Sequence, residues 1–271
     1  MHGADDPAHH RAYMPEGTSV LLNSRSLQTA HRRLAGYLQP GLTVLDVGCG
    51  TGAITHGMAD AVAPHGRVVG IDANPRLIDE ARLAHSGVSD LSFEVGDVCS
   101  LRFDGMFDIV TAARVLQWLA HPLEALRQMA AAARPRGRVV VLDFNHEKIL
   151  WNPDPPSSMQ MFYSAFLRWR ADVGMDNAIA DHLPRLFADA GLVDIEATPQ
   201  HETTRRTDAD FDTRIALWAD LAASRGHQMV ADGVITEGQR ATAEADYRVW
   251  VRERAESQRL YLVAVEGVRR F

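Results

Sequence analysis

An apolar, β-branched run at 42–47 passes directly into Gly48-Cys49-Gly50-Thr51-Gly52, and a helix-like run at 53–63 follows. Three glycines in five residues allow a tight turn from strand to helix and close approach of a ligand to the backbone. Asp46 stands just before the turn, where a carboxylate can accept from an ammonium group or hold the loop. Around this loop the pattern alternates. Strand-like runs at 67–71, 91–95, 107–113 and 138–142 are separated by helix-like runs at 75–85 and 122–133, and a helix at 26–38 precedes them all. Pro64 stops one helix and Pro75 opens the next. Such alternation predicts a parallel sheet covered by helices on both faces. Sheets of that kind bind ligands beyond the carboxyl ends of their strands, where the glycine turn lies.

The second half is less regular. It predicts an aromatic-rich helix at 157–173, a helix at 178–190 ending at Gly191, and a strand at 193–198. Two long helical segments follow at 208–224 and 236–253, and a strand at 260–268 closes the chain. No internal repeat or low-complexity linker divides it.

The 271 residues, 46% apolar and 23% charged, suffice to bury a full core. The net charge is -7 and no Lys/Arg-rich run occurs. A phosphate-neutralising surface needs clustered positive charge, so a nucleic-acid partner is not expected. The two cysteines, Cys49 and Cys99, form neither CxxC nor a ligand set. A reducing, cytoplasmic compartment is the expectation. Residues 1–14 are polar and His-rich, unlike a signal peptide, and no apolar run reaches the 18 or so residues that span a bilayer.

The loop by itself admits three readings. It can be a turn with no ligand. It also fits a dinucleotide site, since Gly48-x-Gly50-x-x-Ala53 matches GxGxxG/A and Asp72 follows at the distance of a ribose contact. That fingerprint requires neither Asp46 nor Gly52. The third reading comes from five segments in order. VLDVGCGTG at 44–52 resembles the first motif of class I S-adenosylmethionine-dependent methyltransferases. VGIDANP at 69–75, EVGDV at 94–98, and FDIV at 107–110 with RVLQWL at 114–119 resemble the next three. ARPRGRVVV at 133–141 is similar to the turn and strand that follow them. Within the class, the chain is most similar to the small-molecule group that includes the ubiquinone/menaquinone biosynthesis methyltransferases.

The resemblance covers roughly 42–143 and implies a Rossmann-like, doubly wound seven-stranded sheet with its last strand antiparallel. Helical insertions would form a substrate lid. The implied organisation is one domain, 1–271, with an N-terminal lid segment at 1–40 and a cofactor-binding core at 41–143. Acceptor-side helices would lie at 150–175 and 208–253, the latter serving as lid or homodimer surface. The cofactor implied is S-adenosylmethionine, and each role follows from the matched motif. Asp46, Gly48, Cys49 and Gly50 would lie along its methionine portion. Asp72, beside Ala73, would accept from both ribose hydroxyls, because a carboxylate offers two acceptor oxygens. Leu77 would flank the adenine, and Gly96, Asp97 and Val98 would meet its amino edge. Ala113 and Arg114 would line the sulfonium side, with Tyr13 folding over the cofactor. Asp72 and Asp97 could equally be helix caps or surface charges.

The sulfonium methyl is already activated, so holding nucleophile, methyl and sulfur in line can supply most of the barrier reduction, on the order of 7–11 kcal/mol. A small-molecule acceptor is expected, with oxygen the first acceptor atom and nitrogen or carbon the alternatives. His146, just beyond the fifth strand, is the candidate general base because its ordinary pKa is near neutrality; a loop-capping histidine is the plainer reading. Asn145 could orient the acceptor or hold the turn. Trp118, Trp151, Tyr163 and Trp169 could clamp a flat substrate, although aromatics at helical spacing are also what a core requires. No metal is expected, since Ala113 stands where metal-dependent catechol-type enzymes place an acid. The Asn/Asp-Pro-Pro-aromatic signature of amine and base methyltransferases is absent after the fourth strand, and Asp154-Pro155-Pro156-Ser157 falls after the fifth. Two competitors of other classes are a nicotinamide-dependent oxidoreductase and a non-catalytic cofactor-binding protein.

Overall fold

The computed structural model describes residues 7–15 and 22–270. Parts of the expected N-terminal lid, 1–6 and 16–21, lie outside the described residues. Among the described residues ten strands occur: β1 (Thr43–Val47), β2 (Arg67–Asp72), β3 (Leu91–Val95), β4 (Phe107–Ala113), β5 (Ala133–Phe144), β6 (Leu150–Asn152), β7 (Leu192–Pro199), β8 (Glu202–Arg205), β9 (Ser257–Leu260) and β10 (Leu262–Arg269). Where one domain is expected from the sequence, the internal contacts gather the chain into two compact units. One comprises the described parts of 19–144, 179–200 and 262–271; the other, those of 1–18, 145–178 and 201–261.

The first unit is built on a seven-stranded sheet in the order β3-β2-β1-β4-β5-β10-β7. β1 pairs in parallel with both β2 and β4, and β10 runs antiparallel between β5 and β7. This is the expected Rossmann-like topology with an antiparallel last strand. β1 is buried from Val44 onward, and the helix Ala53–Val62 places Met58 and Val62 against Val44, Val68 and Ile109. Each such large side chain contributes on the order of 1.5–3 kcal/mol. The helix Pro75–Ala84 begins where Asn74 accepts from the Arg76 N–H and Pro75 fixes the first turn.

One ionic feature of this sheet has no warning in the sequence. Glu266, wholly buried on β10, receives Arg33 Nε at 2.9 Å and the Tyr37 hydroxyl at 2.5 Å. The pairing holds its carboxyl below the usual value despite burial.

The second unit packs the helices Ser157–Ala171, Leu217–Ala223 and Glu237–Glu253 on one another. It also holds a three-stranded antiparallel sheet in the order β6-β9-β8. A reciprocal capping box between Thr236 and Gln239 starts the longest helix. Arg225 donates to the carbonyls of Arg11 at 2.6 Å and Ala12 at 3.2 Å, tying down the short helix Pro7–Ala12.

Four expectations require correction. The helix expected at 26–38 is two short helices, Leu27–Ala30 and Arg32–Ala35, parted at His31. The strand expected at 138–142 starts at Ala133 and ends at Phe144. The helical segment expected at 208–224 is broken into Phe211–Ile215 and Leu217–Ala223, with a further helix at Arg225–Ala231. The closing strand expected at 260–268 is two strands, β9 and β10, one in each unit.

Candidate functional site

The carboxyl ends of β1, β2 and β4 bring the sheet unit's candidate residues together. After Val47 the chain turns through Gly48, Gly50 and Gly52, all in the left-handed region at φ 71°, 55° and 79°. The N–H groups of Gly48 and Cys49 both donate to the Ile71 carbonyl, at 2.7 and 2.9 Å, so the loop is fastened to β2. A Cβ on Gly48 would stand 2.4 Å from the Val115 side chain. Glycine is therefore needed there for space as well as conformation.

Asp72, at the end of β2, closes the loop from the other side. Its Oδ2 accepts the Gly50 N–H at 3.0 Å and its Oδ1 the Asn74 N–H at 2.8 Å. A carboxylate offers roughly four lone-pair sites. With one backbone bond on each oxygen, each retains capacity for a hydroxyl donor. Burial raises the Asp72 pKa, and the two backbone bonds oppose that rise. Ala73 is exposed beside it and Leu77 is buried one turn on.

Asp46 is buried and accepts from the Thr55 hydroxyl at 2.6 Å, joining β1 to the helix behind the loop. Burial, with the Asp72 charge adding to it, pushes its carboxyl from 3.8 up to about 7. Asp97 is exposed and caps the 3-10 turn Val98–Ser100, accepting the Cys99 N–H at 2.9 Å. Gly96 donates to the Asp72 carbonyl at 3.0 Å, and Val98 is buried. This register sets β3's end beside Asp72.

After β4, Ala113 is half-buried and Arg114 is buried at φ 62°. The guanidinium of Arg114 lies 5.6 Å from the Phe144 ring centroid. Trp118 ends the turn Leu116–Trp118 and is partly exposed. Sequence reasoning missed three neighbours. Asn23 Oδ1 accepts from the Thr51 hydroxyl at 2.6 Å. Val115 fills the space above Gly48. His31, fully buried, lies 3.0 Å from the Thr111 hydroxyl, and burial with the nearby Arg114 lowers its pKa to about 3. No motif marks Asn23 or His31, and the motif that contains Val115 gives no sign of its packing on Gly48.

The remaining candidates belong to the other unit. Asn145 is buried and its Oδ1 accepts the Glu147 N–H at 2.9 Å, so it holds the turn His146–Lys148. His146 is buried, with Nδ1 3.0 Å from the Tyr163 hydroxyl, which donates to the His146 carbonyl at 3.0 Å. Burial and the Arg170 charge press the imidazole pKa well below 6.5. Tyr163 and Trp169 are core residues rather than pocket walls: Trp169 is wholly buried, with Nε1 donating to Asp232 at 2.7 Å. Trp151 is half-buried, edge-on to Tyr163 at 5.4 Å and Trp218 at 6.0 Å. Tyr13 is 44% exposed.

Among the described residues no group of three His, Cys, Asp or Glu side chains could hold a metal, and no helix is long and apolar enough to cross a membrane.

Residues 38–191 match the family model for the methyltransferase domain. An uncharacterized 37.1 kDa protein in a transposon of Streptomyces fradiae is 34% identical over 157 residues, 57% of this chain and 44% of that protein. The ubiquinone/menaquinone biosynthesis C-methyltransferase of Ectopseudomonas mendocina is 38% identical over 112 residues, 40% of this chain and 44% of that protein. The chain thus spans less than half the length of either relative. A phosphoethanolamine N-methyltransferase of Haemonchus contortus, solved with S-adenosylhomocysteine, shares the fold at TM-score 0.56 and 14% identity, covering 97% of this chain and 56% of that one. With the family model covering more than half of it, the chain belongs to the class I S-adenosylmethionine-dependent methyltransferases.

Proposed function

We propose that this chain transfers a methyl group from S-adenosylmethionine to a small-molecule acceptor by in-line displacement. The observation that carries the proposal is the pairing of the three-glycine turn with Asp72. The turn takes a left-handed path that glycine allows, with no room for a Cβ at Gly48, and Asp72 keeps acceptor capacity after fastening the loop. Asp72 and the glycine turn are assigned to the donor's ribose and methionine portions, and Asp46 to its cationic amino group. When bound, S-adenosylmethionine supplies a methyl group already activated on sulfur. The chain's own part is then to bind, orient and exclude water, which leaves no requirement for a strong base. Asp97 and Leu77 are assigned to the adenine end, and Ala113 and Arg114 to the sulfur end.

Carbon is the first acceptor atom to test. The named relative is a C-methyltransferase, whereas the initial preference for oxygen has no observation of the site behind it. The match to that relative covers 40% of this chain, so acceptor identity is tested directly. Calorimetry with S-adenosylmethionine and its demethylated product should show saturable binding to the wild-type chain. Asp72→Ala should weaken it by about 1.5–3 kcal/mol, as for hydrogen bonds to a charged acceptor. Methyl-labelled donor offered with phenols and hydroquinones then reports the atom modified. No affinity for either cofactor form in folded wild-type protein would end this reading.

A further inference from the structure

The three-stranded sheet carries a second feature, independent of the methyl-donor reading. Its register places Leu150, Arg259 and Thr203 in one cross-strand row, and Asn152, Ser257 and Arg205 in the next. Side chains two apart along a strand share a face, so these six form one side of the sheet. Residues of the intervening row, Gln258 and Thr204, are buried on the other side. The six face a groove of about 700 Å³, with Trp151 and His201 completing its lining. That size is typical of a small-molecule site.

The face is basic on an acidic chain. Arg205 and Arg259 are exposed, and neither guanidinium has a carboxylate or other hydrogen-bond partner among the described residues. Arg33, Arg134, Arg206, Arg240 and Arg248, by contrast, all lie within 4 Å of an acid. The nearby acids are engaged elsewhere. Glu256 lies 3.7 Å from Arg206, and Asp208 accepts the Arg205 backbone N–H at 2.8 Å. Arg205 and Arg259 are diagonal neighbours on adjacent strands, about 7–8 Å apart at the backbone, so both planar forks can converge on one anion.

We propose that this face binds a small organic phosphate ester. Two guanidinium forks, the Thr203 and Ser257 hydroxyls and the Asn152 amide suit a dianion with three terminal oxygens better than a carboxylate with two. Leu150, 58% exposed, offers apolar surface to the ester's organic part.

The test is calorimetry on the full chain without methyl donor, using phenyl phosphate, benzoate and benzyl alcohol as probes. Phenyl phosphate should bind most tightly and benzyl alcohol least. Arg205→Gln and Arg259→Gln should each weaken phenyl phosphate by about tenfold or more. Arg102→Gln, an exposed arginine on 3.8 Å terms with Glu94, should leave it unchanged. Both test positions are exposed, so the variants keep the fold, checked by circular dichroism. Absence of phenyl phosphate binding at millimolar concentration overturns the proposal. So does benzoate binding as tightly as the phosphate, or an equal loss in the Arg102 variant. Because no cofactor is present, failure here leaves the methyl-transfer reading untouched, and failure there leaves this site untouched.

Discussion

Asp46→Asn should stabilise the protein, and more so as pH rises. The carboxyl is buried and its pKa lies near 7, against 3.8 in an open chain. Below 3.8 both folded and unfolded forms hold the proton; above about 7 both have lost it. Between those values the folded form keeps the proton and the unfolded form does not, so stability falls as pH rises through the window. Each pH unit of the window is worth about 1.4 kcal/mol, giving a total near 4 kcal/mol. Roughly half, about 2 kcal/mol, accumulates between pH 5.5 and pH 8. Asparagine has no charge to bury, yet its carbonyl oxygen can still accept from Thr55. The assay is urea unfolding of wild type and variant at both pH values. The stability gap should widen by about 2 kcal/mol from the lower to the higher pH, a comparison in which other titrating groups cancel. An unchanged gap, or a variant weaker at pH 8, refutes the reasoning. Because a bound cation would offset the cost of the charge, the same substitution should also weaken affinity for S-adenosylmethionine.

Gly48→Ala should lower stability by more than the 1–2 kcal/mol of a left-handed alanine, since its Cβ meets Val115. Adding Val115→Ala should recover the steric part and leave the conformational part, as read by thermal unfolding. His146→Asn should lower the melting temperature through loss of the Tyr163 contact, while turnover per folded molecule stays at the wild-type level. A hundredfold fall in kcat with steady KM in that variant would instead restore His146 as the base.

β3 and β4 were legible to the residue: β3, LSFEV, alternates apolar and polar side chains between Asp90 and Gly96, and β4, FDIVTAA, is an apolar-rich run that stops at Arg114. β5 was not, because Arg134, Pro135, Arg136 and Gly137 look like a turn, yet Ala133 pairs with Phe107 ahead of a register shift. The small sheet was invisible. Its strands of three, four and four residues, LWN, ETTR and SQRL, contain no apolar run. The break at Ala216 escaped notice because the apolar period continues across it. Asp72 and the glycine turn could be named in advance, since a local motif carries both. Thr55, His31 and Val115 could not, since their part depends on neighbours distant in sequence or on a gap that only folding creates. Glu266 reads in the sequence as one charge within an apolar strand; its solution, Arg33 and Tyr37, comes from more than two hundred residues earlier.

The place of β10 fixes an order of assembly. Among the described residues β7 has no neighbour in the sheet except β10, which leaves the ribosome some sixty residues later. Until then β7 cannot dock, and β5 presents an open, strongly apolar flank on which the wrong strand could anneal. Synthesis of β10 therefore zips two previously separate borders in one event, and a variant without that strand would expose both borders to aggregation.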